Sequence, residues 1–132
     1  MIITGDLTHD GSEESYRLLD KTIKEHFEKP VYYVMGNHDN RVNFSNVFGY
    51  IERDEKIYYT AKTDNIILVA LDTGITESQI GFLDDAQFEW LREIFKNKFS
   101  RPVILVSHHP IYTGDDLNVL SRQLPDSNAI YN

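Results

Sequence analysis

The stretch VYYVMGNHDN, residues 31–40, sets an apolar run directly before a glycine, an amide, an imidazole and a carboxylate. The run does not alternate with polar residues, so it predicts a strand over Val31–Met35 that is covered on both faces. Gly36 alone is enough for a sharp exit from that strand. The three polar residues that follow it therefore raise the question whether they form a turn or a site.

Two other apolar runs end in polar residues in the same way. Met1–Thr4 runs into TGDLTHDG, and Val103–Val106 runs into SHHP. In α/β sheets, ligands bind outside the carboxyl ends of the strands. If these three strands are parallel neighbours in one sheet, we expect their three polar ends to converge.

The elements between these runs indicate an α/β fold. Apolar residues at helical spacing predict one helix after Ser12 and another after Asp84 or Asp85, with a short helix in the mixed stretch Arg41–Tyr50. Two strands around a Thr-Asp-Asn turn predict a hairpin, Ile57–Lys62 and Ile66–Leu71. Alternating strands and helices are typical of this fold class.

Composition excludes several classes of function. The 132 residues suit a single domain, and a net charge of −8 argues against a nucleic-acid partner, which basic side chains would have to bind. A small phosphorylated substrate stays open, because a metal ion can supply positive charge locally. The absence of cysteine excludes thiolate metal sites and a cysteine nucleophile. It is also compatible with the reducing cytoplasm, where we expect the protein. No apolar run is long enough for a membrane span.

The polar residues behind the first two strands could bind metal or be turn chemistry. Asp6 follows a Gly in a common turn pair, but a carboxylate can also bridge two cations. Asn37 offers a neutral oxygen ligand, and His38 can serve as a ligand or as a general acid. Asp39 could hold the other ring nitrogen of His38 and fix its tautomer. His9 and Asp10 either line the same cleft or belong to a solvated loop.

Of the remaining histidines, two follow the third strand. His108 and His109 are adjacent on an extended segment, so at most one faces a given metal, and spacing alone does not say which. His26 falls late in a predicted helix, where its side chain suits the helix dipole, and we interpret it as structural.

Together, TGDLTHDG, GNHD and SHHP resemble the calcineurin-like metallophosphoesterases, and GDLTHDGSEESYRLL with PVYYVMGNHDN is most similar to the bacterial cyclic AMP phosphodiesterase branch. The resemblance implies a four-layer αββα sandwich with two metals about 3.5–4 Å apart and hydrolysis of a phosphodiester by a metal-bound hydroxide. By similarity, Asp6 bridges the metals, and Asn37 and His108 bind the second one. His38 would protonate the leaving oxygen or stabilise the transition state. Oxygen and nitrogen donors suit Mn, Fe or Zn.

Two elements of the family pattern are absent, namely Asp-x-His before the first run and Gly-His-x-His near the end. The second metal keeps three ligands, whereas the first keeps only Asp6, so we expect at most one bound ion per chain. We therefore expect a truncated, single domain, incomplete at both ends, whose fold further sequence or another chain completes. The isolated chain is then an impaired or inactive phosphodiesterase. The alternative is a non-catalytic module that binds one metal or a partner protein.

Overall fold

The computed structural model describes residues 1–50, 56–75, 78, 80–96 and 98–110. Within these residues the chain forms five strands and three helices, in the mixed order that the sequence predicts. In chain order they are β1 (Ile2–Thr4), α1 (Glu13–His26), β2 (Tyr32–Val34), α2 (Arg41–Phe48), β3 (Tyr59–Lys62), β4 (Ile67–Ala70), α3 (Asp85–Phe95) and β5 (Val103–Val106). The strands belong to two sheets, and the arrangement is that of an α/β fold.

The first sheet pairs β1 with β2 in parallel, with Ile3 opposite Tyr33. An aromatic cluster packs α1 and α2 against β2. Tyr16 from α1 and Phe44 from α2 are both fully buried, and their ring centroids lie 5.6 Å apart in an edge contact. Phe44 makes a second edge contact with Tyr33 at 5.6 Å. This cluster forms a rigid base under the loop that leaves β2.

The second sheet has the order β3-β4-β5. β3 and β4 form the antiparallel hairpin that the sequence predicts, and all four residues of β4 are buried. The apolar side of α3 packs on this sheet, where Leu91 and Trp90 lie against the buried residues Val69 and Leu71.

The condition under which the three strand ends were expected to converge is not met. The strands that carry the three polar ends are not all neighbours, because β5 pairs in parallel with β4 in the second sheet. The physical reason is the connection, since α3 is the crossover between β4 and β5, and a strand–helix–strand unit joins parallel strands of the same sheet. β1 and β2 do form the parallel pair that the sequence suggested.

Helix ends agree with the capping signals. Ser12 accepts from the Ser15 N–H at the start of α1, and Asp84, rather than Asp85, caps α3 by accepting from the Gln87 N–H at 2.8 Å. Each cap satisfies a backbone donor that has no partner within the helix.

His26 Nδ1 lies 2.9 Å from the Thr22 carbonyl one turn earlier, as a structural histidine would. In the part of the chain that the structure describes, no helix has the length and hydropathy for a membrane span.

Candidate active site

The carboxyl ends of β1 and β5 meet, although the two strands belong to different sheets. Nδ1 of His108 lies 2.8 Å from the Thr4 carbonyl oxygen, and Nε2 of the same ring lies 3.6 Å from Oδ1 of Asp6. A carbonyl oxygen can only accept, so Nδ1 donates, and Nε2 is the nitrogen that faces Asp6. Gly5 permits this approach, because its φ is 96° and a Cβ there would overlap the His108 ring.

These two facing atoms fit a cation. In the neutral ring with its hydrogen on Nδ1, both facing atoms are acceptors, and this is the form that can bind a cation, whereas a protonated ring donates from Nε2 to Asp6. Two donor atoms 3.6 Å apart can both lie about 2.1 Å from one divalent ion. Metal-binding histidines commonly donate their other ring nitrogen to a carbonyl, which fixes the tautomer and the ring orientation. The Thr4 carbonyl has this position next to His108.

Asp6 is held against the loop that leaves β2. Its φ is 50°, a left-handed conformation that Asp tolerates better than most residues, and its Oδ1 accepts from the His38 N–H at 3.2 Å. Gly36 lies so close that a Cβ there would overlap both the carboxylate and the backbone nitrogen of Asp6. Asn37, half-buried, is the next residue. The structure thus brings Asp6, His38 and His108 together beside Asn37.

Asp39 has other partners than the His38 ring that the sequence suggested. Its carboxylate is buried and accepts from the Leu7 N–H at 3.0 Å, the Gly36 N–H at 2.8 Å and the Tyr16 hydroxyl at 2.9 Å. The Tyr16 oxygen in turn accepts from the Asn40 N–H at 3.0 Å. Asp39 therefore ties the loops after β1 and β2 to each other and to α1.

The His38 ring points away from this network. It is exposed, and its ring stacks on that of His9, with 5.3 Å between the centroids and 29° between the planes. Over residues 1–50, 56–75, 78, 80–96 and 98–110, the ring of His38 makes no hydrogen bond. His9 thus contacts the His38 ring, and its assignment to a substrate cleft stays a prediction.

Asp10 and His109 take part in neighbouring contacts instead. Asp10 accepts from the N–H and the hydroxyl of Ser12 at 3.0 Å, and these bonds, the backbone one first, lower the pKa of Asp10. His109 Nδ1 lies 3.0 Å from Oγ1 of Thr73, and burial, together with His108, lowers the pKa of His109. The rings of His108 and His109 are nearly perpendicular, so only His108 faces Asp6.

A buried ion pair beneath the site was not anticipated from the sequence. Asp72, at the end of β4, is fully buried and accepts from Nε and Nη2 of Arg41 at 2.7 and 2.6 Å. Nζ of Lys56 lies 3.9 Å from the same carboxylate. Burial lowers the pKa of Lys56, an effect that Asp72 opposes and Arg41 reinforces. One carboxylate is thus shared by two cations, and the only local signal for it was an Asp after an apolar strand.

Gln87 extends this network to α3. Its amide oxygen accepts from the Asp72 N–H at 3.0 Å and its amide nitrogen donates to the Asp72 carbonyl at 2.9 Å. The Arg41 side chain follows directly on the GNHDN loop and also donates to the Gly74 carbonyl at 2.9 Å. The network therefore connects the loop that carries Asn37 to the second sheet.

Gly36→Ala is expected to lower the free energy of unfolding by about 2–3 kcal/mol, because the added methyl group must displace the Asp6 backbone. Urea unfolding measures the change. The control is Gly49→Ala, where φ is 72° but nothing lies within 4 Å of the added atom, so only left-handed strain of about 1 kcal/mol remains. Equal losses in the two variants would contradict the close packing at Gly36.

Comparison with known proteins identifies the family. The sequence profile of the calcineurin-like phosphoesterases matches residues 1–129. This chain belongs to the calcineurin-like phosphoesterase family. The resemblance of TGDLTHDG, GNHD and SHHP to that family is thereby confirmed.

Several bacterial proteins named as phosphodiesterases are similar to the chain. It is 32% identical over 114 residues to the "Probable glycerophosphodiester phosphodiesterase GpdQ" of Arcobacter nitrofigilis. The aligned region covers 83% of the chain and 41% of that relative. It is 30% identical to the 3′,5′-cyclic adenosine monophosphate phosphodiesterase CpdA of Pseudomonas aeruginosa, over 88% of the chain and 42% of that protein. A probable cyclic nucleotide phosphodiesterase of Xenorhabdus bovienii is 31% identical, over 98% of the chain and 53% of its own length. The chain thus spans about two fifths to one half of these three relatives.

Calcineurin-like phosphoesterases use divalent metals in general. In the described part of this member, no three His, Cys, Asp or Glu side chains converge as a metal-binding group. The donors that do lie together are the carboxylate of Asp6 and the imidazole of His108, with the amide of Asn37 in the adjoining loop.

Proposed function

We propose that this chain is part of a metal-dependent phosphodiesterase that hydrolyses small phosphodiesters, cyclic nucleotides among them. The observation that carries the proposal is the His108 ring, whose tautomer the Thr4 carbonyl fixes so that Nε2 faces the Asp6 carboxylate. The names of the relatives support the substrate class, since they are cyclic nucleotide and glycerophosphodiester phosphodiesterases.

In this proposal, Asp6, Asn37 and His108 hold one divalent ion. Their oxygen and nitrogen atoms favour Mn, Fe or Zn over metals that need thiolate ligands. When bound, such an ion supplies positive charge for the phosphoryl oxygens and lowers the pKa of water. It also offsets the net charge of −8, which would otherwise repel an anionic diester.

His38 is the proposed general acid. Its imidazole is exposed, while its backbone N–H donates to Asp6. From that position it would give a proton to the alcohol oxygen that leaves phosphorus. General acids of this kind accelerate reactions by about 10²–10⁴-fold.

The metal content of the 132-residue chain tests the ligand set. After dialysis against Mn²⁺ or Zn²⁺, we expect elemental analysis to find one ion per chain. Asp6→Asn and His108→Ala should each weaken binding by about 100-fold or more, because each removes one of few donors. His26→Ala is the matched control, since that ring is on α1 and bonds Thr22. Two tightly held ions, or unchanged binding in the two site variants, would refute this ligand set.

Hydrolysis of bis(p-nitrophenyl) phosphate and of 3′,5′-cyclic AMP with excess Mn²⁺ tests the activity. The assay uses the polypeptide encoded by the reading frame that contains this chain, and separately the 132 residues. We expect Asn37→Ala/His38→Ala to lower kcat on the cyclic nucleotide by about 10³-fold, while Asn65→Ala in the exposed hairpin turn leaves it unchanged. No metal-dependent hydrolysis by the encoded polypeptide would overturn the proposal. One bound ion without hydrolysis would instead favour the non-catalytic module.

A further inference from the structure

The His38 imidazole has an unusual set of contacts for a group with a proposed role in proton transfer. The backbone of His38 is anchored, since its N–H donates to Asp6. Its ring makes no hydrogen bond in the described part of the chain, and Asp39, which could have oriented it, is bound to Leu7, Gly36 and Tyr16. The contact of the ring is with the face of His9, 5.3 Å away between centroids.

We propose that His9 is a positioning residue, which fixes the orientation of the His38 imidazole by stacking on it. This inference rests on the proposed function, because the orientation matters only if His38 acts on a bound phosphodiester. In this role the flat ring of His9 packs on the His38 ring, and His9 itself transfers no proton.

His9 can serve in this way because the loop that carries it is held on both sides. Before it, the Leu7 N–H donates to Asp39. After it, the Gly11 N–H donates to the buried Thr8 hydroxyl at 3.0 Å, which closes the loop on itself. A Cβ on Gly11 would come within 3.0 Å of the His38 carbonyl oxygen and of the Asn40 backbone nitrogen, so the two loops are in close contact. The His9 ring thus projects from a fixed segment.

The geometry indicates stacking and not a hydrogen bond. With 29° between the planes, the two rings present their faces to each other, whereas a hydrogen bond needs a ring nitrogen aimed at its partner. A flat apolar ring at position 9 should therefore replace His9, whereas a polar side chain of similar length without a ring should not. This difference separates positioning from acid–base participation.

Three variants of the encoded polypeptide test the proposal, namely His9→Phe, His9→Ala and His9→Gln. On 3′,5′-cyclic AMP, whose leaving oxygen needs a proton, we expect His9→Ala and His9→Gln to lower kcat about tenfold, with KM within about twofold, and His9→Phe to retain the wild-type kcat. On bis(p-nitrophenyl) phosphate, whose nitrophenolate leaves without a proton, the kcat of all three variants should stay close to that of the wild type. Since His9 is exposed, the urea concentration at the midpoint of unfolding should be the same in all three variants and the wild type.

The proposal is overturned if His9→Phe loses as much kcat as His9→Ala, or if none of the variants differs from the wild type. NMR of the histidine rings gives a second measurement that needs no activity. We expect the His38 Hε1 resonance, assigned with His38→Ala, to carry a ring-current shift that His9→Ala removes and His9→Phe retains. An unchanged resonance in His9→Ala would refute the stack. If the wild type lacks phosphodiesterase activity, the proposed function fails, whereas the resonance still decides the contact.

Discussion

Replacing Asp39 by alanine is expected to lower the free energy of unfolding by about 4 kcal/mol. The buried carboxylate accepts from the N–H groups of Leu7 and Gly36 and from the Tyr16 hydroxyl. Alanine leaves these donors without a partner, and each unsatisfied buried donor costs about 1–3 kcal/mol. Urea unfolding, followed by fluorescence of Trp90, the one tryptophan of the chain, measures the loss.

Asp64→Ala is the matched control for this prediction. Asp64 is exposed in the turn between β3 and β4, and its removal should change the free energy of unfolding by less than about 0.5 kcal/mol. Tyr16→Phe removes one of the donors, so its loss in the free energy of unfolding should lie between those of Asp64→Ala and Asp39→Ala, at about 1–2 kcal/mol. A loss below about 1 kcal/mol in Asp39→Ala would mean that water or another group satisfies these donors.

Asp72→Ala is expected to cost a similar amount, about 3–5 kcal/mol, for a different reason. Arg41 and Lys56 have side chains that are only 10% and 16% exposed, and Asp72 is their shared counter-ion. Without it, two like charges stay buried with no compensating anion, and breaking a buried ion pair has costs of this size. Thermal and urea unfolding both report the change.

The control for Asp72 is an aspartate in an exposed ion pair. Asp20 accepts from Lys24 at 2.6 Å on the outer side of α1, where the lysine is 75% exposed, so Asp20→Ala should cost less than about 1 kcal/mol. Asp72→Asn retains an acceptor for the Ile57 N–H, so its loss in the free energy of unfolding should lie between those of the two alanine variants. Equal losses in Asp72→Ala and Asp20→Ala would contradict the importance of burial.

Features that depend on a few consecutive residues could be predicted from the sequence. The bounds of β5 are those of the apolar run Val103–Val106, because a run of this length next to Pro102 is too short for a helix. The hairpin closes at Thr63, whose N–H bonds the Ile66 carbonyl and whose hydroxyl accepts from the Ile66 N–H. Helix starts followed from Ser12 and Asp84, since a cap acts over three residues.

Contacts between distant residues could not be predicted in the same way. Asp72 and Arg41 are 31 residues apart, and Asp39 and Leu7 are 32 apart, so no local pattern links either pair. Residue chemistry and the resemblance to a family suggest roles for the site residues but not their partners. Asp39 was expected beside the His38 ring on its chemistry alone, whereas its buried carboxylate accepts from two backbone N–H groups and the Tyr16 hydroxyl instead.

The bond between His108 and the Thr4 carbonyl also sets the order in which the site can form during synthesis. The two residues are 104 positions apart, so at about 5–20 residues per second His108 leaves the ribosome roughly 5–20 s after Thr4. Throughout that interval Asp6 and Asn37 exist without their imidazole partner. In the proposed ligand set, tight binding of an ion therefore requires that β5 has already joined β4 and brought His108 to Asp6.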